Sequence, residues 1–184
     1  DDGWLLTPTN SCLGELDPAR ISKLDWQGTV LAGDPPSKEA FLHRSMYEER
    51  PTAGAIVHLH STHAAAVSCM AGLDPASCIP PLTPYFVMKI GHVPLIPYHR
   101  PGDPLAADLV AQTITRYGQQ GKPIRAVMLS RLGPNVWHDS LAAAMATLEE
   151  LEETAKLVHL SPTPPVPLTA SQINDLRQTF GARW

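Results

Sequence analysis

The stretch Ala55-Ile56-Val57-His58-Leu59-His60-Ser61-Thr62-His63, with Pro36-Ser37-Lys38-Glu39 upstream of it, decides the reading of this chain. Its first half is apolar and β-branched, the composition of a strand. Side chains two apart on a strand share a face, so His58 and His60 converge while Val57 and Leu59 pack on the other side. Two neutral imidazoles at that spacing suit a borderline divalent ion such as zinc, and a nearby carboxylate would complete three protein ligands. Such a site leaves a coordination position for substrate, which favours chemistry over structural support. The plainer alternative is two packed or solvated histidines.

Residues upstream of the pair strengthen the chemical reading. From Glu39 to Arg50, Phe41, Leu42, Met46 and Tyr47 recur at helical spacing. Ser37 is the expected N-cap, which puts Glu39 in the first turn, where the helix dipole favours a carboxylate. Further strands are expected at Trp4–Thr7, Ile21–Asp25, Thr29–Leu31, Tyr85–Ile90, Val93–Ile96 and Ala126–Leu129. Helices are expected at Lys38–Glu49, His63–Met70, Pro104–Tyr117 and Ser140–Leu160, the last burying Leu141, Met145, Leu148, Leu151, Ala155 and Val158. The run Glu149-Glu150-Leu151-Glu152-Glu153 reads as a solvated face. Ser130 to Pro134 reads as a loop, Ser161 to Pro167 as a linker, and Thr169 with Gln172 as the capping box of a final helix. Mixed strands and helices in 184 residues indicate one layered α/β domain, residues 1–184.

Composition excludes several classes. A formal charge of −4 without a basic block argues against nucleic acid. No apolar run approaches the roughly 20 residues of a membrane helix, and no signal peptide is visible. Three cysteines, Cys12, Cys69 and Cys78, form no Cys-x-x-Cys; they are expected to be buried, unreactive thiols of a cytoplasmic protein. The start Asp1-Asp2-Gly3-Trp4 enters a strand almost at once, which fits a chain lacking its natural N-terminus.

Thr7-Pro8-Thr9-Asn10, Pro36-Ser37-Lys38-Glu39 and His58-Leu59-His60 together resemble the class II aldolase/adducin superfamily in order and spacing. Within it, the chain is most similar to the 3-oxo-tetronate 4-phosphate decarboxylases. That narrower resemblance rests on Leu6 to Asn10, Leu16 to Asp25, Pro36 to His43, Val57 to His63, Pro80 to Tyr85, Tyr98 to Asp103 and Glu149 to Leu157. The resemblance implies a three-layer α/β/α fold around a mostly antiparallel sheet, a tetramer with sites between subunits, and a phosphorylated sugar-acid substrate. It implies a divalent cofactor, normally Zn2+, held by His58, His60 and Glu39, with Glu39 also the acid/base. Thr9, Asn10, Ser37 and Lys38 would surround the substrate phosphate, and Tyr85 is a further candidate for substrate contact.

Two departures follow from the same comparison. The family's third ligand is a histidine followed by glycine after an apolar strand; in Met128-Leu129-Ser130-Arg131-Leu132-Gly133-Pro134 the place is taken by Leu132, which cannot coordinate metal. The family's upstream helix and Gly-Asn phosphate loop also have no counterpart in this sequence. The implied reaction is decarboxylation to dihydroxyacetone phosphate and CO2 through an enediolate. The alternatives are an aldolase for L-fuculose 1-phosphate or a similar ketose phosphate, and a catalytically impaired, adducin-like assembly module.

Overall fold

The computed structural model describes residues 2–184; Asp1 lies outside the described residues. Strands β1 (Trp4–Leu6), β2 (Ser22–Leu24) and β3 (Val30–Ala32) form a small antiparallel sheet. Helix α1 (Ala40–Glu49) leads into β4 (Ala55–His58) and the short helix α2 (Thr62–Ser68). Then come α3 (Pro84–Lys89), β5 (Leu95–Ile96), α4 (Pro104–Gln119), β6 (Ala126–Leu129), β7 (Gly133–His138), α5 (Leu141–Leu160) and α6 (Ala170–Phe180). The main sheet has the order β4-β7-β6-β5, antiparallel except for the β5–β6 pair.

Period-2 alternation on this sheet sets the layers. On β6, Ala126 and Met128 join a core with Val67 of α2, Phe86 of α3 and Leu151 of α5. Val127 and Leu129 face the other way, into a core with Leu42 and Met46 of α1 and Val110 and Ile114 of α4. Helices therefore cover both faces, giving the three-layer α/β/α arrangement with a mostly antiparallel centre. No helix among the described residues is long and apolar enough to cross a membrane.

Several expectations need correction. Tyr85–Ile90 is helical, because Thr83 caps the segment by accepting from the Phe86 N–H at 3.0 Å and Pro84 occupies the first turn. Ser37 is not the N-cap of α1; Glu39 is, and the Ser37 hydroxyl accepts from the Glu39 N–H at 3.3 Å. Strand β7 starts at Gly133, inside the stretch read as a loop, since Gly133 and Pro134 pair with Leu129 and Met128. Cys78 is buried, but Cys12 and Cys69 are exposed. Finally, α5 buries Ala144, Thr147, Leu148, Leu151, Thr154 and Ala155, while Leu141 and Met145 face solvent. Ala64 and Val67 of α2 share one core with Leu148, Leu151 and Ala155 of α5.

Those two faces of α5 are separable by mutation. Leu151→Ala, at a fully buried site, is expected to lower unfolding free energy by about 2–5 kcal/mol. Leu141→Ala, 66% exposed, should stay within roughly 0.5 kcal/mol of the parent. Urea denaturation of both variants measures the difference, and equal losses would contradict this packing.

Candidate active site

The histidine segment acquires its geometry from β7. His58 lies opposite Asn135, and its Nδ1–H donates to the Pro134 carbonyl at 2.9 Å. That bond fixes the tautomer and leaves Nε2 as the lone-pair nitrogen, the usual support for a metal-binding imidazole. Burial holds His58 below the ordinary histidine range, and the neighbouring His60 acts in the same direction against the Pro134 carbonyl, so the ring is neutral at pH 7. His60 sits beyond the end of β4, exposed, with its ring edge-on to His58 at 5.1 Å between centroids. Gly133 makes this approach possible. A Cβ there would lie 2.6 Å from the Leu59 carbonyl oxygen, and its φ of +135° is one that side-chain-bearing residues rarely adopt.

The other predicted residues gather at the entry to α1. Thr9 N–H donates to Pro35 O at 3.0 Å, and Ser37 N–H donates to Thr7 O at 3.4 Å. These two bonds hold Thr9 and Asn10 beside Ser37 and Lys38, four residues with hydroxyl, amide and ammonium groups suited to a phosphate dianion. Asn10 adopts a left-handed φ of 58°, tolerated by asparagine better than by most residues. Half-buried Glu39 follows at once. It lines a small pocket with Phe41, Leu129 and Leu132 on one side and His99, Arg100 and Asp103 of the β5–α4 loop on the other. Tyr85 stands apart: 58% exposed on α3, beneath Lys89 Nζ at 5.2 Å from its ring, and not among the residues of the Glu39 pocket.

Two nitrogen donors suit a divalent ion, but a complete donor set does not follow. Among the described residues, no three His, Cys, Asp or Glu side chains converge closely enough to hold one. Leu132 packs instead against the apolar core beneath α1 and α4. The residues present thus match two corners of a three-ligand site.

Sequence reasoning missed two features. Behind His58, the buried His43 Nε2 and both amide atoms of Asn135 have no hydrogen-bond partner. Burial pushes His43 down to about 4, so this imidazole is neutral as well. The sequence reading assigns no strand to this stretch, so neither β7 nor the position of Asn135 opposite His58 is visible in it. The second feature is Glu152, read as part of a solvated face. Its carboxylate accepts from the His63 and Ala64 backbone N–H groups at 2.8 Å each, and from His63 Nδ1 at 2.9 Å. Ser61, at the N-cap of α2, makes no side-chain capping bond, so Glu152 of α5 caps this helix across the fold. The segment carrying His60 is thereby fastened to α5.

Burial raises the Glu152 pKa, but the N–H donors of His63 and Ala64 outweigh it and hold the group below the ordinary carboxylate range. A depressed carboxylate stabilises the fold above its unfolded-state pKa, near 4.3, and that contribution is lost as pH falls through the folded value. Glu152→Ala is expected to cost about 1–3 kcal/mol at pH 7 by leaving buried donors unpaired. Glu152→Gln should flatten the acid limb of the stability curve. Urea denaturation between pH 3 and pH 7 checks both, and an unchanged acid limb in Glu152→Gln would remove Glu152 from this role.

Comparison with known proteins identifies the family. Residues 1–159 match the family model of the class II aldolase and adducin N-terminal domain. The chain is 48% identical over 189 residues to 3-oxo-tetronate 4-phosphate decarboxylase of Cupriavidus necator, covering 100% of this chain and 84% of that protein. The solved structure of YgbL from Klebsiella pneumoniae superposes with a TM-score of 0.87 at 45% identity, over 96% of this chain and 82% of that one. More distantly, L-fuculose phosphate aldolase of Escherichia coli is 29% identical over 99% of this chain and 82% of its own length. Class II aldolases generally use a divalent metal. With its three-layer fold, its paired histidines and its match over most of the sequence, this chain belongs to the class II aldolase/adducin family.

Proposed function

We propose that this protein decarboxylates 3-oxo-tetronate 4-phosphate to dihydroxyacetone phosphate and CO2. The observation that carries the reading is the identity to a decarboxylase of that name over the whole chain, and the site chemistry is compatible with it. A β-keto acid that loses its carboxylate leaves an electron pair delocalised over C2 and C3 as an enediolate. A divalent ion, zinc on the chemistry of two imidazoles and a carboxylate, supplies Lewis-acid stabilisation of that charge when bound.

The chain's own residues supply the remaining functions. Thr9, Asn10, Ser37 and Lys38 bind the phosphate and thereby fix the position of C2 and C3. Glu39, adjoining that cluster, delivers the proton to C2 that completes the product. His58 and His60 would be the nitrogen donors for the ion; Glu39, which does not converge with them among the described residues, would have to move toward them to serve as the third protein ligand. Tyr85, distant from Glu39 within one chain, reaches a substrate only across a subunit contact.

The protein also assembles, in this reading, as a homotetramer. Leu5, Val30 and Leu31 on the small sheet are 66%, 44% and 49% exposed, an apolar group suited to a second copy. Sedimentation at micromolar concentration checks this, with a species that is only monomeric counting against it. A cytoplasmic setting suits three cysteines that form no disulfide.

Leu132 provides the decisive test. A metal held by His58, His60 and Glu39 alone ties down the group that must also move a proton. Weak zinc retention and slow turnover are expected of the chain as it stands. Leu132→His restores a nitrogen donor without touching the phosphate side, and both zinc affinity and CO2 release should rise by about tenfold or more. Glu39→Gln in the same assay should lower the rate by roughly a hundredfold or more. Equal zinc affinity in the Leu132 pair would mean that another residue already serves as third donor. Absence of CO2 release even from Leu132→His would refute the decarboxylase reading itself.

A further inference from the structure

A second cationic site lies at the opposite end of the main sheet from the histidine pair. His58 pairs with Asn135 at one end of the β4–β7 ladder, and Ala55 pairs with His138 at the other. Three strand residues separate them, about 10 Å along the sheet. Beyond His138 opens a groove of about 620 Å³, floored by Trp137 and walled by Ile90 and Phe180. Arg50 after α1, Lys89 in the last turn of α3, Arg125 before β6 and Arg183 after α6 all line it. Four separate segments of the chain thus bring cations to one concavity, in a protein whose formal charge is −4.

These cations are not neutralised by one another's neighbours. None of the four pairs with a carboxylate among the described residues. Asp139, the single carboxylate of the groove, accepts from His138 Nδ1 at 2.5 Å. Arg125 donates to the far nitrogen of that same ring, Nε2, at 3.1 Å and to the Lys89 carbonyl at 3.4 Å. This fixes one edge of the guanidinium and leaves other N–H groups available. Arg50 Nη2 is shielded from solvent without any acceptor, and Glu49 beside it is already engaged with the Thr115 hydroxyl at 2.6 Å. The position of Lys89 near a helix C-terminus accounts for one of the cations through the helix dipole. The same dipole accounts for Arg50 at the C-cap of α1, but not for Arg125, which precedes a strand.

We propose that this groove binds a phosphate dianion, free or carried by a small organic molecule, at a site separate from the one at Lys38. Arginine forks match phosphate oxygens in pairs, and the groove exceeds the size of a bare phosphate, leaving room for an organic tail. Neither the phosphate cluster around Ser37 nor the Glu39 pocket shares a residue with it. The inference therefore stands independently of the proposed reaction.

The test uses the full chain carrying Lys38→Ala, so that the other phosphate cluster is disabled. Inorganic phosphate is titrated while tryptophan fluorescence is followed, with sodium chloride at matched ionic strength as the control and Trp137→Phe to assign the signal. A saturable response that chloride does not reproduce is expected. Arg125→Gln and Arg183→Gln, which touch no catalytic group, should each weaken it by about tenfold, with unchanged far-ultraviolet circular dichroism. Glycerol 3-phosphate run in parallel distinguishes a free ion from an ester, and tighter binding of the ester supports the site with the tail included. A response equal to that of chloride, or an affinity unchanged from the parent in both arginine variants, overturns the proposal. So does a response seen only on dilution to monomer, which would make the groove a contact between copies.

Discussion

The antiparallel ladder between β4 and β7, running from Ala55 opposite His138 to His58 opposite Asn135, is the constraint on which the other features depend. It assigns Val57 and Val136 to the core under α2, α3 and α5, and turns Ile56, Trp137, His58 and Asn135 toward α1 and α4. A slip of one residue would reverse every one of these assignments. The register is held by opposite chemistry on the two faces: one is wholly apolar, while the other carries a polar patch against His43. That patch leaves three buried polar atoms without partners, each of a kind that costs about 1–3 kcal/mol. The surrounding apolar cores tolerate such a cost at a site where the polar groups have work to do.

Placement of the phosphate side depends on a smaller device. Two backbone hydrogen bonds, from Thr9 to Pro35 and from Ser37 to Thr7, join the end of β1 to the approach to α1. They bring together segments more than twenty residues apart and set Glu39 at the mouth of the helix, where its side chain is free of capping duty. A carboxylate used as its own helix cap would be tied to backbone N–H groups and less able to exchange a proton. The Ser37 hydroxyl takes the Glu39 N–H instead. On the other side of the sheet the opposite choice is made, with Glu152 committed wholly to capping.

Much of this was legible in the sequence. The strand before His58, the α1 periodicity, the Thr169–Gln172 capping box and the three-layer class follow from local spacing and resemblance, and the structure contains them. What escaped was decided by partners far along the chain. Tyr85 to Ile90 has strand composition, yet one hydroxyl at Thr83 and one proline turn it into a helix. Glu152 is indistinguishable from its acidic neighbours until α2 arrives against it. Asn135 falls in a stretch to which the sequence assigns no strand, and only the β4–β7 register puts it opposite His58. The proposed metal site was half legible: two imidazoles could be read from His-x-His spacing, but a third donor requires a tertiary position, and no third donor joins them among the described residues.

The turn between β6 and β7 explains how the family frame survives without a donor at position 132. The features that shape this turn are backbone features: the left-handed Arg131 with φ of 64°, the φ of +135° at Gly133, and the Pro134 carbonyl that receives the His58 N–H. None depends on the side chain at 132. Leu132 packs instead, partly buried, against the apolar layer that contains Leu129 and Ile96. Its substitution therefore alters the chemistry of the site while the scaffold around His58 keeps its shape. The same separation places the cationic groove, built on the far ends of these strands, beyond the reach of any change at Leu132.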